Sequence, residues 1–297
     1  MNLRLIALLL AVATACPAEE MPPPTMASVL AASTSQDWRR PDPENLLYMD
    51  LPSGRVVIEL APQFAPEHVA NIRTLARGHY WDGLSILRVQ DNYVAQWGDP
   101  NAGEAEARPL GEARAQLPAE FERDEDGVAF RAIASRDAYA PQVGLADGFH
   151  AARDPKRGKV WMTHCYGLVG AGRDNAADSS NGAELYAVIG HAPRHLDRNI
   201  TAVGRVLLGI EHLSSLPRGP APMGFYIDAA QRTPILKLRL ASDLPEAERL
   251  PIEVMRTETA TFHRLVQARR ERREEWFVDP VGQIELCNVP VPARLAQ

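Results

Sequence analysis

Arg88 and Gln96 stand eight positions apart in the apolar stretch Ile86-Leu-Arg-Val-Gln-Asp-Asn-Tyr-Val-Ala-Gln-Trp-Gly-Asp99. Their types and spacing make them the first candidates for chemistry. A guanidinium among Ile, Leu, Val and Tyr is costly to bury unless something accepts its hydrogen bonds. Held in place, it can donate toward a substrate group whose charge distribution changes during reaction, with no nucleophile, proton transfer or metal. The competing reading is a rim arginine satisfied by a carboxylate. Other chemistries have little support. The eight histidines are scattered, and His191 with His195 has i, i+4 spacing but lies in a Pro-containing connection without a companion ligand motif. No Gly-x-Ser-x-Gly elbow, His-Glu-x-x-His or phosphate-binding loop occurs. No metal and no cofactor is expected.

The elements that must position the pair are short strands. Alternation places Ile86, Arg88 and Gln90 on one face of a first strand. Tyr93, Val94 and Gln96 belong to a second strand after a Gln90-Asp91-Asn92 turn, so pairing brings Arg88 and Gln96 together. Upstream, residues 47–60 read as a hairpin turning at Pro52-Ser53-Gly54, and Phe64-Ala65-Pro66 leads into a helix over residues 67–77.

Hairpin, then "APEHVANIRTLARGHYWDG" (residues 65–83), then the strand bearing Arg88, then Gln-x-Gly-Asp, is the order seen in the N-terminal half of cyclophilin peptidyl-prolyl isomerases. Downstream, "NGAELYAVIG" (181–190) is similar to the family's Asn-Gly-Ser-Gln-Phe-Phe segment. "LDRNITAVGRVLLGIEHL" (196–213) is similar to its Leu-Asp…Phe-Gly-x-Val-x-x-Gly segment, and residues 233–240 resemble its closing strand. The resemblance covers about residues 46–241, with insertions. It implies a mainly β fold, a closed antiparallel eight-stranded β-barrel capped by helices. Here an extra C-terminal helix and tail are expected to follow.

The resemblance also implies catalysis of cis/trans isomerisation at X-Pro bonds, with proline-containing polypeptides as partners. Partial double-bond character raises that barrier to ~20 kcal/mol. In the family an arginine donates toward the prolyl nitrogen as it pyramidalises, and an apolar socket holds the ring. By motif position Arg88 matches this arginine and Gln96 the substrate-anchoring glutamine, the two expected catalytic residues. Tyr93, Val94, Glu184, Tyr186, His195 and Leu196 are expected to bind substrate. The departures from the family pattern are several. Ile86-Leu87 replace Phe-His, Trp97 replaces the first glycine of Gln-Gly-Gly, and Glu184 replaces a glutamine. His195 stands for a tryptophan found in many eukaryotic members and Ile200 for a histidine, while Cys165 or a neighbour falls where an asparagine anchor is expected. The rival reading is a cyclophilin-like binding, chaperone or scaffold domain with little turnover.

With 297 residues, 45% of them hydrophobic, the chain is long enough for one substantial domain, placed at residues 46–244. A net charge of −6 argues against nucleic acid or an anionic membrane surface as the main partner. Residues 1–15 read as a signal peptide: a basic start at Arg4, an apolar run too short for a stable span, and small residues at Ala13-Thr14-Ala15. Cys16 follows directly. Acylation there, as in bacterial lipoproteins, is the favoured reading, and plain cleavage that leaves a soluble periplasmic protein is the other. Either way the expected location is the periplasm, and a lipid anchor at Cys16 is the one membrane contact expected. Residues 16–45 are Pro-rich and polar and read as a flexible tether.

Cys165 and Cys287 either pair or remain separate buried thiols. Insertions at 101–157 and 171–180 either set substrate choice or are solvated loops. Residues 245–297 form an extension, with Met255, Phe262, Leu265 and Val266 at helical spacing after Pro251, then a tail packed through Ile284, Leu286 and Cys287. The run from Arg269 to Glu275 reads as a solvated helix face, because its glutamates offset most of its arginines.

Overall fold

Hydrophobic alternation along the first hairpin builds β1 (Leu46–Leu51) and β2 (Gly54–Leu60), paired in the register Leu47↔Ile58 and Met49↔Val56. The structure, a computed structural model, describes residues 23–296; residues 1–15, read above as a signal peptide, and Cys16 lie outside them. Seven further strands complete the main sheet: β3 (Ser85–Val89), β4 (Val94–Gly98), β5 (Leu168–Ala171), β6 (Leu185–Val188), β7 (Ala202–Leu208), β8 (Thr233–Pro234) and β9 (Lys237–Leu240). Their order is β8-β3-β4-β6-β5-β7-β2-β1-β9, antiparallel throughout. Its two outer strands are successive parts of one segment, split only by Ile235 and Leu236. The Ile235 N–H bonds to the Leu84 carbonyl at 2.8 Å and the Leu236 N–H to the Asp50 carbonyl at 2.9 Å. The eight-stranded closed barrel expected from the sequence is therefore a curled nine-stranded sheet whose ends are covalently continuous.

Among the described residues four α-helices accompany the sheets: α1 (Met26–Ala31), α2 (Pro66–Arg77), the short α3 (Glu211–Ser214) and α4 (Ala260–Glu271). Inside the curl, Leu47, Met49, Ile58 and Trp97 pack with Ile72 and Leu75 of α2. The start of α2 has Pro66 in its first turn and no side-chain cap of its own. Glu120 substitutes from a distant loop, accepting the Glu67 and His68 backbone N–H at 3.0 and 2.9 Å.

The first insertion is not a solvated loop. Its residues 123–154 supply four strands that, with Lys159–Met162 just beyond it, form a five-stranded sheet in the order Arg123–Asp124, Lys159–Met162, Phe149–Asp154, Gln142–Ala146, Phe130–Ala132. This sheet lays Phe149, Ala151, Val160 and Met162 against Val94, Leu168, Tyr186 and Val188 on the outer face of the curl. It thereby braces the strands that carry the candidate site.

A third, three-stranded sheet joins Trp38–Arg39, Ile252–Met255 and Ala293–Leu295, with α1 and α4 packed beside it through Val29, Phe262, Leu265 and Val266. Two expectations are corrected here. The stretch read as a flexible tether is ordered from α1 onward, because Trp38 is buried and pairs with Met255. Met255 lies in a strand rather than in the helix, which starts only after Thr259, whose side chain accepts the Phe262 N–H. Cys165 and Cys287 are joined in a disulfide that ties the tail to the barrel. No helix among the described residues is long and apolar enough to cross a membrane.

Candidate active site

An irregularity in the β3–β4 pairing positions Arg88. Ile86 faces Trp97, but Arg88, two residues on, faces Gln96 only one residue back, so Leu87 is accommodated in a bulge. The consequence overturns the simple alternation read from sequence. Ile86, Val89, Ala95 and Trp97 all enter the interior of the curl, while Arg88 and Gln96 reach the opposite face. Trp97 therefore belongs to the core and does not reshape the pocket.

Arg88 is 9% exposed and Gln96 8%. Nη1 of Arg88 donates to Oε1 of Gln96 at 2.9 Å, Nε donates to the Met223 carbonyl at 2.6 Å, and Nη2 donates to the Gln90 side-chain oxygen. The rings of Tyr93 and Phe225 lie 5.5 and 5.2 Å from its Cζ. Three of the five guanidinium N–H bonds are thus engaged by described residues, leaving two for a ligand. Burial draws the Arg88 pKa below its ordinary value. An arginine nevertheless stays charged.

Gln96 is itself oriented. Its Nε2 donates to the Glu184 carboxylate, which turns its carbonyl oxygen toward Arg88. Burial raises the pKa of Glu184, with the Gln96 hydrogen bond opposing that shift. The Gly172 N–H bonds to the Glu184 carbonyl at 2.8 Å, and a Cβ at position 172 would stand 2.8 Å from Oε1 of Glu184. A side chain at 172 would require the Glu184 carboxylate to shift.

These groups line a pocket of about 120 Å³, walled by Tyr93, Val94, Tyr186, Leu196 and Ile200, with Arg88, Gln96, Glu184, Gly172 and Arg173 on its polar side. Seven of the eight residues expected at a site meet here: Arg88, Gln96, Tyr93, Val94, Glu184, Tyr186 and Leu196. His195 does not line the pocket; it is exposed, its ring parallel to that of Tyr93 at 6.4 Å. Cys165 does not line the pocket and is bonded to Cys287, whereas Gly172 and Arg173 are among the lining residues. Sequence reasoning also missed the loop of Met223 and Phe225, both partly exposed beside Arg88. The available signal was its apolar run Met223-Gly-Phe-Tyr-Ile227 after Pro222.

A larger cleft of about 680 Å³ lies where the three sheets meet. Within its lining Arg39 binds Glu59, which Arg205 also holds, and Arg256 binds Glu258. Among the described residues no group of three His, Cys, Asp or Glu is placed to hold a metal ion.

A curled antiparallel sheet carrying a buried arginine–glutamine pair beside a small apolar socket defines a recognisable class. The family model for cyclophilin-type peptidyl-prolyl cis-trans isomerases matches residues 46–236, and the chain belongs to that family. The crystal structure of cyclophilin AquaCyp293 from Hirschia baltica superposes with a TM-score of 0.69 at 28% identity, covering 91% of this chain and 97% of that one. A probable peptidyl-prolyl cis-trans isomerase of Brucella suis is 37% identical over 90 residues, 28% of this chain and 46% of the relative. Peptidyl-prolyl cis-trans isomerase B of Bacillus subtilis is 28% identical over 128 residues, 43% of this chain and 85% of the relative. The alignment thus spans about half the length of the Brucella relative.

Proposed function

We propose that the chain catalyses cis/trans isomerisation of X-Pro bonds in polypeptides. The observation that carries this reading is the buried Arg88, held by Gln96 and Met223, with two N–H bonds left beside an apolar pocket. Tyr93, Val94, Tyr186 and Leu196 receive the proline ring and exclude water. Arg88 then donates toward the prolyl nitrogen as its lone pair leaves conjugation, a bond stronger in the twisted state than in either planar one. Because Gln96 and Glu184 fix the guanidinium beforehand, little reorganisation is needed when the bond twists. The chemistry calls on no cofactor. The test is exchange NMR on a short Ala-Pro peptide with catalytic amounts of the chain. Faster exchange is expected; binding without acceleration across several X-Pro peptides would leave only a binding or chaperone domain.

The proposed setting is the cell envelope, where the chain would shorten a step of folding that otherwise lasts tens of seconds. The N-terminal leader pattern supports export, and the Cys165–Cys287 disulfide fits an oxidising compartment. On this reading cleavage exposes Cys16, whose acylation tethers the protein to the membrane. Cell fractionation with intact mass measurement separates the cases. A lipid-modified chain starting at Cys16 is expected, an unmodified processed chain means plain export, and an uncleaved cytoplasmic chain contradicts export.

A further inference from the structure

The wall of the pocket is anchored from behind by groups that do not line it. Tyr186 is 4% exposed, so its hydroxyl needs a protein partner. His164 supplies one: its Nε2 lies 2.8 Å from the Tyr186 Oη, and the two rings are nearly parallel. Nδ1 of His164 is 3.0 Å from Oδ1 of Asp197, which also accepts the His164 backbone N–H at 2.9 Å. Arg194 holds the other oxygen of Asp197 at 2.6 Å and is itself held by Asp137.

The direction of these bonds follows from the groups. A carboxylate only accepts, so Nδ1 carries the proton. Nε2 is then the acceptor, and the Tyr186 hydroxyl donates to it. The same Asp197 that orients His164 follows Leu196 in the chain, so both apolar walls share one anchor. Cys165, the next residue after His164, is fixed by its disulfide to Cys287.

We propose that His164 is a positioning residue for prolyl isomerisation, acting through the Tyr186 hydroxyl to hold the wall of the proline socket. The proposal rests on the isomerase reading above. A tyrosine in this wall is tolerated only with its hydrogen-bond partner. Deprived of it, the ring must bury an unsatisfied hydroxyl or swing toward water and deform the socket.

The test uses the processed chain and four forms of it: wild type, His164→Ala, Tyr186→Phe and the double variant. Each is assayed by exchange NMR for kcat and KM on one X-Pro peptide, with thermal unfolding alongside. His164→Ala should raise KM roughly tenfold, the scale expected of an orphaned buried hydroxyl. Its kcat should stay within about twofold of wild type, since the guanidinium is untouched. Adding Tyr186→Phe removes the orphaned hydroxyl and should restore most of the lost KM, a non-additivity that general loosening of the fold would not produce. A wild-type KM in His164→Ala, or a double variant as impaired as His164→Ala, would overturn the proposal. Should His164→Ala fail to fold, ¹⁵N shifts of His164 in the wild-type chain decide. A protonated Nδ1 and bare Nε2 are expected, and the opposite tautomer contradicts the arrangement. Active wild type with unaffected variants defeats this proposal alone, whereas an inactive wild type defeats the isomerase reading and this proposal with it.

Discussion

Gly170 and Tyr186 are register partners on β5 and β6, and the Cζ and Oη of the tyrosine occupy the space a Cβ at position 170 would need. The pocket wall thus depends on a missing side chain in the neighbouring strand. Gly170→Ala should push Tyr186 off His164, weaken X-Pro peptide binding, and destabilise the fold by about 1–3 kcal/mol through overpacking. Peptide titration and urea unfolding check this; unchanged affinity and stability would mean the ring can move at no cost.

Glu184 should leave a signature in the pH dependence of stability. Burial holds its folded pKa above the ordinary 4.5. Between that value and the raised one, the folded state keeps a proton the unfolded chain has lost, so the contribution of Glu184 to stability declines as pH rises through the window. Glu184→Gln should remove this decline. Urea unfolding at a series of pH values would show the difference between variant and wild type growing upward from about pH 4.5; parallel curves would contradict it.

The junction of barrel, insertion and N-terminal layer rests on one carboxylate. Glu59 is bound by Arg39 at 2.6 Å and by Arg205 at 2.9 Å, and Arg205 also donates to the Gly148 carbonyl at 2.6 Å. Glu59→Ala leaves the buried Arg205 without its counter-charge and should cost about 3–5 kcal/mol in denaturant unfolding. A loss under about 1 kcal/mol would place the junction among weak surface pairs.

The Cys165–Cys287 bridge spans 122 positions. Chain entropy alone then assigns it up to about 5 kcal/mol. Reductant should lower the unfolding midpoint of the wild-type chain and leave that of Cys287→Ser unmoved. Equal responses in the two proteins would mean the bridge is not formed in solution.

Much of the site was legible because its determinants are local. A two-strand hairpin with a polar turn brings Arg88 to Gln96 whatever the rest of the chain does, and the family's motif order places Tyr186 and Leu196 beside them. What failed depended on irregularity or distance. Strict alternation cannot reveal the bulge at Leu87, which sends Ile86 and Arg88 to opposite faces. Met255 fits a helical stripe, yet Trp38 from the supposed tether captures it as a strand. The insertion's strands are short, and they make a sheet only by pairing with one another and with Lys159–Met162 and by covering Tyr186 and Val188. His164 and Asp197 lie 33 positions apart in two connections, so no spacing rule joins them.

The central claim is that Arg88 does the catalytic work from a fixed position, and kcat/KM for one X-Pro peptide in Arg88→Ala tests it most directly. Loss of a preorganised donor should lower kcat/KM by about 10²-fold or more, with circular dichroism and melting temperature close to wild type. Acceleration retained in a folded Arg88→Ala variant would contradict the account and return this pocket to a binding role.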